Sequence, residues 1–156
     1  MKTFRKLSKD DNKILSKLIS TEGINYAEFL NIGWSENQIN EQLNKTTNFS
    51  YGIIYNDSLI SFILGDLFNI EKISEYEILL IYVCKNFRNQ GLGTELLKKI
   101  EENIKCLKKI YLEVAKNNTE AVSFYKKMNF KIFNSRKNYY LIENKKIEAL
   151  LMSKNY

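Results

Sequence analysis

The sequence predicts a mixed α/β fold in which about seven strands alternate with amphipathic helices. Three observations predict it. Glu77-Ile78-Leu79-Leu80-Ile81-Tyr82-Val83 is a nearly unbroken β-type run, and after a loop with two glycines the stretch from Thr94 to Ile104 carries apolar residues at helical spacing. The same alternation follows, with Lys109 to Ala115 as a strand and Thr119 to Met128 as a helix with an aromatic inner face. Upstream, Phe49 to Tyr55 and Leu59 to Phe68 read as strands joined by the turn residues Asn56-Asp57-Ser58. A length of 156 residues at 44% hydrophobic content fits one domain, 1–156, with a real core. No repeat, linker or low-complexity segment interrupts it.

Taken in order, residues 3–7 form a first edge strand. Asp10 or Asp11 caps a helix with Ile14, Leu15, Leu18 and Ile19 on one face, and Gly23 ends it. A short helical piece is expected from Tyr26 to Leu30, before Gly33-Trp34. Ser35-Glu36-Asn37-Gln38 is a capping-box pattern and starts a helix through Ile39 and Leu43. The hairpin, the strand ending at Val83, the glycine loop and its helix, the strand at 109–115 and the helix at 119–128 come next. Phe130 to Arg136 and Ile147 to Met152 close the chain as an antiparallel pair around an exposed connection.

Composition excludes several chemistries. The chain has no His, which removes Ser-His-Asp and Cys-His catalysis and most metal sites; no metal is expected. Cys84 and Cys106 give neither a disulfide framework nor a zinc cluster and read as small core residues. No apolar run reaches the roughly 20 residues of a membrane span, and the basic start Met1 to Lys6 lacks the apolar stretch of a signal peptide. A reducing cytoplasm is the expected location. The net charge of +6 is either a solvated Lys-rich surface or an attraction to a polyanion. No dedicated nucleic-acid-binding motif is present, so no direct nucleic-acid partner is expected.

The loop Arg88-Asn89-Gln90-Gly91-Leu92-Gly93 stands between a strand and a helix. By itself it fits either a tight turn or a pyrophosphate site, where glycines permit close approach and a helix start offers unpaired N–H groups to an anion. A P-loop is excluded, because Gly93 is followed by Thr94-Glu95 with no Lys. The dinucleotide fingerprint lacks its third small residue, since position 96 is Leu. Glu113 falls where a ribose-binding acid could stand, which leaves that alternative open.

Downstream motifs extend the pattern. Strand, R-x-x-G-x-G, helix, Leu112-Glu113-Val114 strand, Asn117-Asn118-x-x-Ala121-x-x-Phe124-Tyr125 helix and a strand opening at Phe130 together resemble the GNAT superfamily of acetyl-CoA-dependent N-acetyltransferases. Trp34-Ser35-Glu36 and Arg136-Lys137-Asn138-Tyr139-Tyr140 are similar to the bacterial ribosomal-protein-alanine N-acetyltransferases (the RimI type). The resemblance runs from about Trp34 to Met152. It implies a mixed, mostly antiparallel central sheet and acetyl-CoA as cosubstrate. The acceptor it implies is the N-terminal α-amine of a protein, the N-terminal alanine of a ribosomal protein. Two departures fall near the acceptor motifs: Gly33 stands where the family has Pro, and no Pro follows Tyr140. Another amine acceptor, or a non-catalytic acetyl-CoA-binding module, is the alternative.

The resemblance also implies roles. Ile81, Tyr82 and Val83 would pair through their main chain with pantetheine amides, although Tyr82 stands where the family has a small residue. Arg88, Asn89, Gln90, Gly91, Leu92, Gly93 and Thr94 would cradle the pyrophosphate. Asn118 is either a CoA contact or a helix cap. Glu113 is either the base for the amine or an outward-facing strand residue; a carboxylate inside an apolar strand is costly without a partner. Tyr125, beside the cofactor, is either the proton donor to the departing thiolate or a packing residue. Trp34, with Tyr26 and Phe29, would face Arg136, Tyr139 and Tyr140 across the acceptor.

Overall fold

The computed structural model describes residues 1–21 and 34–156. Expectations for Gly23, the Tyr26 to Leu30 helix, Phe29 and Gly33 lie outside the described residues. The described elements are β1 (Lys2–Leu7), a 3-10 turn (Lys9–Asp11), α1 (Asn12–Thr21), α2 (Glu36–Asn44), β2 (Ser50–Tyr55), β3 (Ser58–Ile70) and β4 (Ile73–Val83). A second 3-10 turn (Lys85–Phe87) leads to α3 (Leu92–Asn103), β5 (Leu107–Ala115), α4 (Thr119–Lys127), β6 (Lys131–Ile142) and β7 (Lys145–Asn155).

Turn chemistry sets much of the sheet. Asn56 and Asp57 both take positive φ, 46° and 57°, the geometry that lets a two-residue turn match the twist of β2 and β3. Glu143 and Asn144 do the same, at 48° and 61°, between β6 and β7. The seven strands run in the order β1-β2-β3-β4-β5-β7-β6. Every pair is antiparallel except β4–β5, which is parallel and joined by α3 as a crossover.

Three local expectations change. Cys84 is buried as a small core residue should be, but Cys106 is exposed, at φ 53° in the turn before β5. The first helix is capped by Ser8, not Asp10 or Asp11, at the 3-10 turn. Asp11 closes that capping box, accepting from the Ser8 N–H at 2.9 Å and pairing with Arg5. The exposed connection expected after Arg136 is strand instead. β6 runs to Ile142, with a register shift between Arg136 and Tyr140 and Asn138 at φ 55°. Lys137-Asn138 looks like loop sequence because β6 is the outer strand of the sheet, where polar residues face water. The Ser35–Gln38 capping box forms as expected.

Helices cover both faces. Leu15, Leu18, Ile19, Ile39 and Leu43 of α1 and α2 pack on Leu7, Leu59, Phe62 and Leu64. Leu92, Leu96, Leu97 and Ile100 of α3 pack with Tyr125 of α4 on Ile78, Ile110, Leu112 and Val114.

One bulge shapes everything that follows. Leu64 pairs with Leu80, but Gly65 pairs with Ile78, so Leu79 is an extra residue in β4. Before it, Tyr76 and Ile78 enter the α3–α4 core; after it, Leu80 and Tyr82 enter the α1–α2 core. The β4–β5 ladder stops at Ile78–Leu112. β4 continues to Val83 and β5 to Ala115, so the two parallel strands diverge.

Candidate active site

The divergence leaves a cleft of about 1070 Å³ whose lining comes from both faces of the sheet. On the α3–α4 side it meets the glycine loop. Asn89 and Gly91 take positive φ, 60° and 79°. Gly91 is the N-cap of α3 and offers no side chain, so the first-turn N–H groups of Leu92, Gly93 and Thr94 have no side-chain cap. With the dipole of a 12-residue helix behind them, they form an anion site. The two glycines differ. A Cβ on Gly91 would meet nothing within 4 Å, but φ there penalises any L side chain. A Cβ on Gly93 would stand 3.4 Å from the Phe124 ring, an ordinary van der Waals contact, so a small side chain fits there.

The neighbouring residues divide their tasks. Leu92 buries its side chain in the core and presents only main chain. Arg88 Nε donates to the Val83 carbonyl at 3.1 Å, and its guanidinium lies 5.8 Å from the Tyr82 ring centroid. It therefore ties the loop to the end of β4. Gln90 donates to the Asn86 carbonyl at 3.3 Å and is absent from the cleft lining.

β4 presents its main chain to the cleft. Cys84 N–H donates to the Ile60 carbonyl, and the Tyr82 carbonyl accepts from Ser61 Oγ, both at 2.9 Å. Those residues point their polar groups at β3, so by strand alternation Ile81 and Val83 point theirs away from it, the Val83 carbonyl being the one that Arg88 holds. Tyr82 is explained by the bulge: its ring is buried on the α1–α2 side, 5.8 Å from Phe62. A large residue is accommodated there, because its ring is buried against Phe62.

Across the cleft, Asn118 and Tyr125 of the α4 segment line the wall with Ala121 and Phe124. The Asn118 carboxamide oxygen accepts from Ala121 N–H at 3.2 Å and so caps α4. Cap and cleft position coexist. Tyr125 packs between Phe124 and Phe130, with centroids at 5.2 and 5.5 Å. Burial pushes its phenol above the ordinary value, so it keeps its proton.

On the opposite face the cleft is made of side chains. Glu113 lies beside Arg136, whose Nη2 stands 3.1 Å from the carboxylate across β7. Arg136 also stacks on Tyr139 at 5.3 Å, and Tyr139 meets Tyr140 edge-on at 5.0 Å. Burial and then the Glu113 charge push Tyr140 up to about 12. Trp34 and Gln38 line the other wall. Arg136 is absent from the lining and reaches the site through Glu113 and Tyr139.

Sequence reasoning missed Glu77. It lines the cleft on β4, on the same sheet face as Glu113. Burial raises its pKa, and the charges of Asp66 and Glu113 raise it further. Among the described residues no cation stands within ion-pair distance of it. The signal that singled out Glu113, a carboxylate within an apolar strand, was present at Glu77 too, masked because it opened the apolar run.

The cleft thus joins a helix-start anion site, a strand edge, a buried phenol and, besides Glu120 of α4, the two strand carboxylates Glu77 and Glu113. The profile of the acetyltransferase (GNAT) family matches residues 17–130. The chain belongs to the GNAT acetyltransferase family. Its cosubstrate is acetyl-CoA.

Solved structures share the fold of this enzyme. Arabidopsis thaliana NAA60 with a bisubstrate analogue superposes with a TM-score of 0.80 at 17% identity, covering 100% of this chain and 99% of that one. The ribosomal-protein-S18-alanine N-acetyltransferase of Escherichia coli gives 0.73 at 19%, covering 99% and 94%. Arabidopsis thaliana Naa50 with the bisubstrate analogue CoA-Ac-MVNAL gives 0.74 at 22%, covering 99% of each. Among the described residues no helix is long and apolar enough to cross a membrane.

Proposed function

We propose that this enzyme, as one domain over 1–156 and in the cytoplasm, acetylates the N-terminal α-amine of a protein, with a ribosomal protein beginning with alanine as the acceptor. The observation that carries the reading is the acceptor half of the cleft. The strand carboxylates Glu77 and Glu113, on one face of the sheet, line it together with Trp34, Tyr139 and Tyr140. The fold shared with three N-terminal acetyltransferase structures supports it.

The main chain of Ile81 and Val83 would hold the pantetheine, and the first turn of α3, entered through Gly91, would hold the pyrophosphate. Acetyl-CoA supplies the acetyl group as a thioester open to direct attack by a neutral amine. An α-amine has a pKa of ~8, so about a tenth is already neutral at pH 7. A carboxylate near the amine takes the proton of the ammonium form, and the proton that nitrogen sheds as the C–N bond forms and the C–S bond breaks ends on the departing thiolate. Glu113 was expected in that role, but Glu77 is the better base. Its raised pKa brings it closer to the amine, and the cation Arg136 already engages Glu113. Tyr125 keeps its own proton. Burial lifts its phenol further above a thiol's ~8.5, which makes complete transfer to sulfur uphill. Tyr125 therefore acts by donating a hydrogen bond as charge develops on the leaving sulfur.

A peptide panel varied at its first residue tests the reading, with free-thiol release as the readout. Peptides beginning with Ala should turn over fastest, and those beginning with large residues should be poor. Thiol release with none of the panel, alongside normal acetyl-CoA binding, would favour another amine or a non-catalytic role.

A further inference from the structure

We propose that Asp66, a buried residue outside the cleft, is a positioning residue for acetyl transfer. Held opposite Glu77 across the β3–β4 ladder, its carboxylate makes Glu77 rather than Glu113 the base for the acceptor amine. The inference rests on the assignment of Glu77 as that base.

The geometry is direct. Asp66 and Glu77 are Cα partners in register, so both side chains leave the sheet on the same face. Such partners hold their Cβ atoms ~5 Å apart, and like charges there repel. Asp66 is only 5% exposed, yet it is firmly fixed. Its Oδ1 accepts from Gln42 Nε2 of α2 and from Thr47 Oγ1, each at 2.7 Å. Lys45 Nζ stands 3.6 Å from Oδ2 on a half-exposed side chain. Helix α2 and the segment after it thus lock an anion beside a second acid.

The surroundings of the two strand carboxylates in the cleft then differ in sign. Glu113 faces Arg136 at 3.1 Å. Glu77 faces Asp66 on β3 and Tyr111 on β5 in register, with Glu75 on its own strand and Glu113 further along β5. The cations that oppose this are Lys45 and Arg136. Burial, Asp66 and Glu113 outweigh them, so Glu77 holds its proton to higher pH than an ordinary carboxyl. One strand carboxyl thus stands among like charges while the other is held in an ion pair, which separates their roles.

The test is the isosteric change Asp66→Asn, which keeps an oxygen for both the Gln42 and Thr47 donors. Two readouts are compared with wild type. One is the ¹³C titration of the Glu77 carboxyl, assigned by its loss in Glu77→Gln. The other is the acid-side break in kcat/KM that also disappears in Glu77→Gln. Asp66→Asn should move both to lower pH by about half to one unit. Lys45→Met, at an exposed side chain, should move both to higher pH. A purely structural role for Asp66 would lower the melting temperature and move neither. An unchanged Glu77 titration in Asp66→Asn or in Lys45→Met overturns the proposal and leaves the base assignment standing on Glu77→Gln. A titration that moves without the kinetic break overturns the proposal together with the base assignment.

Discussion

At the glycine loop and the β4 edge, the cleft is bordered by backbone: the first turn of α3, the positive-φ residues Asn89 and Gly91, and β4 at Ile81 and Val83. On the other side it is bordered by side chains drawn from different strands: Glu77 from β4, Glu113 from β5, and Tyr139 and Tyr140 from β6. The bulge at Leu79 separates the two, turning one strand's side chains from one core to the other. Backbone recognition suits a cosubstrate with repeated amides and phosphates. Side-chain recognition can be altered residue by residue and suits an acceptor. Damage on one side should therefore spare the other.

The largest expected effect is on the backbone side. Gly91→Glu forces an L residue into φ 79° and directs a negative charge toward the pyrophosphate site. Acetyl-CoA affinity by calorimetry should fall at least ~100-fold, about 2.7 kcal/mol. Unchanged affinity in a folded Gly91→Glu protein would remove the loop from the cofactor site.

Between the two sides, Tyr125→Phe keeps the ring and removes the hydrogen-bond donor. Its kcat should drop ~10²-fold with acetyl-CoA binding largely kept. A kcat within two-fold of wild type would return Tyr125 to a packing role.

On the side-chain face, Tyr139→Ala removes the ring beneath Arg136 and one acceptor wall. Peptide KM should rise about five-fold, the worth of one aromatic contact, with acetyl-CoA affinity unchanged. If acetyl-CoA affinity falls alongside it, the two sides are not separable.

The smallest effect is on stability. Glu77 has a higher pKa folded than unfolded, so the folded state binds more protons near that range. Its contribution to stability is greatest below the unfolded value and falls as pH rises through the folded one. At neutral pH Glu77→Gln should therefore melt at or slightly above wild type. A clear drop in melting temperature would mean that the carboxylate is structurally required.

The backbone side was the legible one. Paired glycines between a strand and a helix mark themselves in any sequence, and so do Asn56-Asp57 at a hairpin and Ser35 with Gln38 at a helix start. The bulge was not legible, because Leu79 is one apolar residue among several and nothing local distinguishes it. Glu77 and Asp66 meet only through the β3–β4 register, which pattern alone does not fix. The extent of β6 was hidden for a different reason: an outer strand carries the polar residues that loops carry.

The most direct test of the acceptor reading is competition within one molecule. A peptide with a free N-terminal Ala and an internal Lys is compared with the same peptide blocked at its N-terminus, and acetylated positions are located by mass spectrometry. The α-amine, with a pKa ~2 units below that of Lys, is far more often neutral near the carboxylates. The account predicts acetylation at the N-terminus of the free peptide and little on the blocked one. Comparable rates on both, with the acetyl group found on Lys, would contradict it.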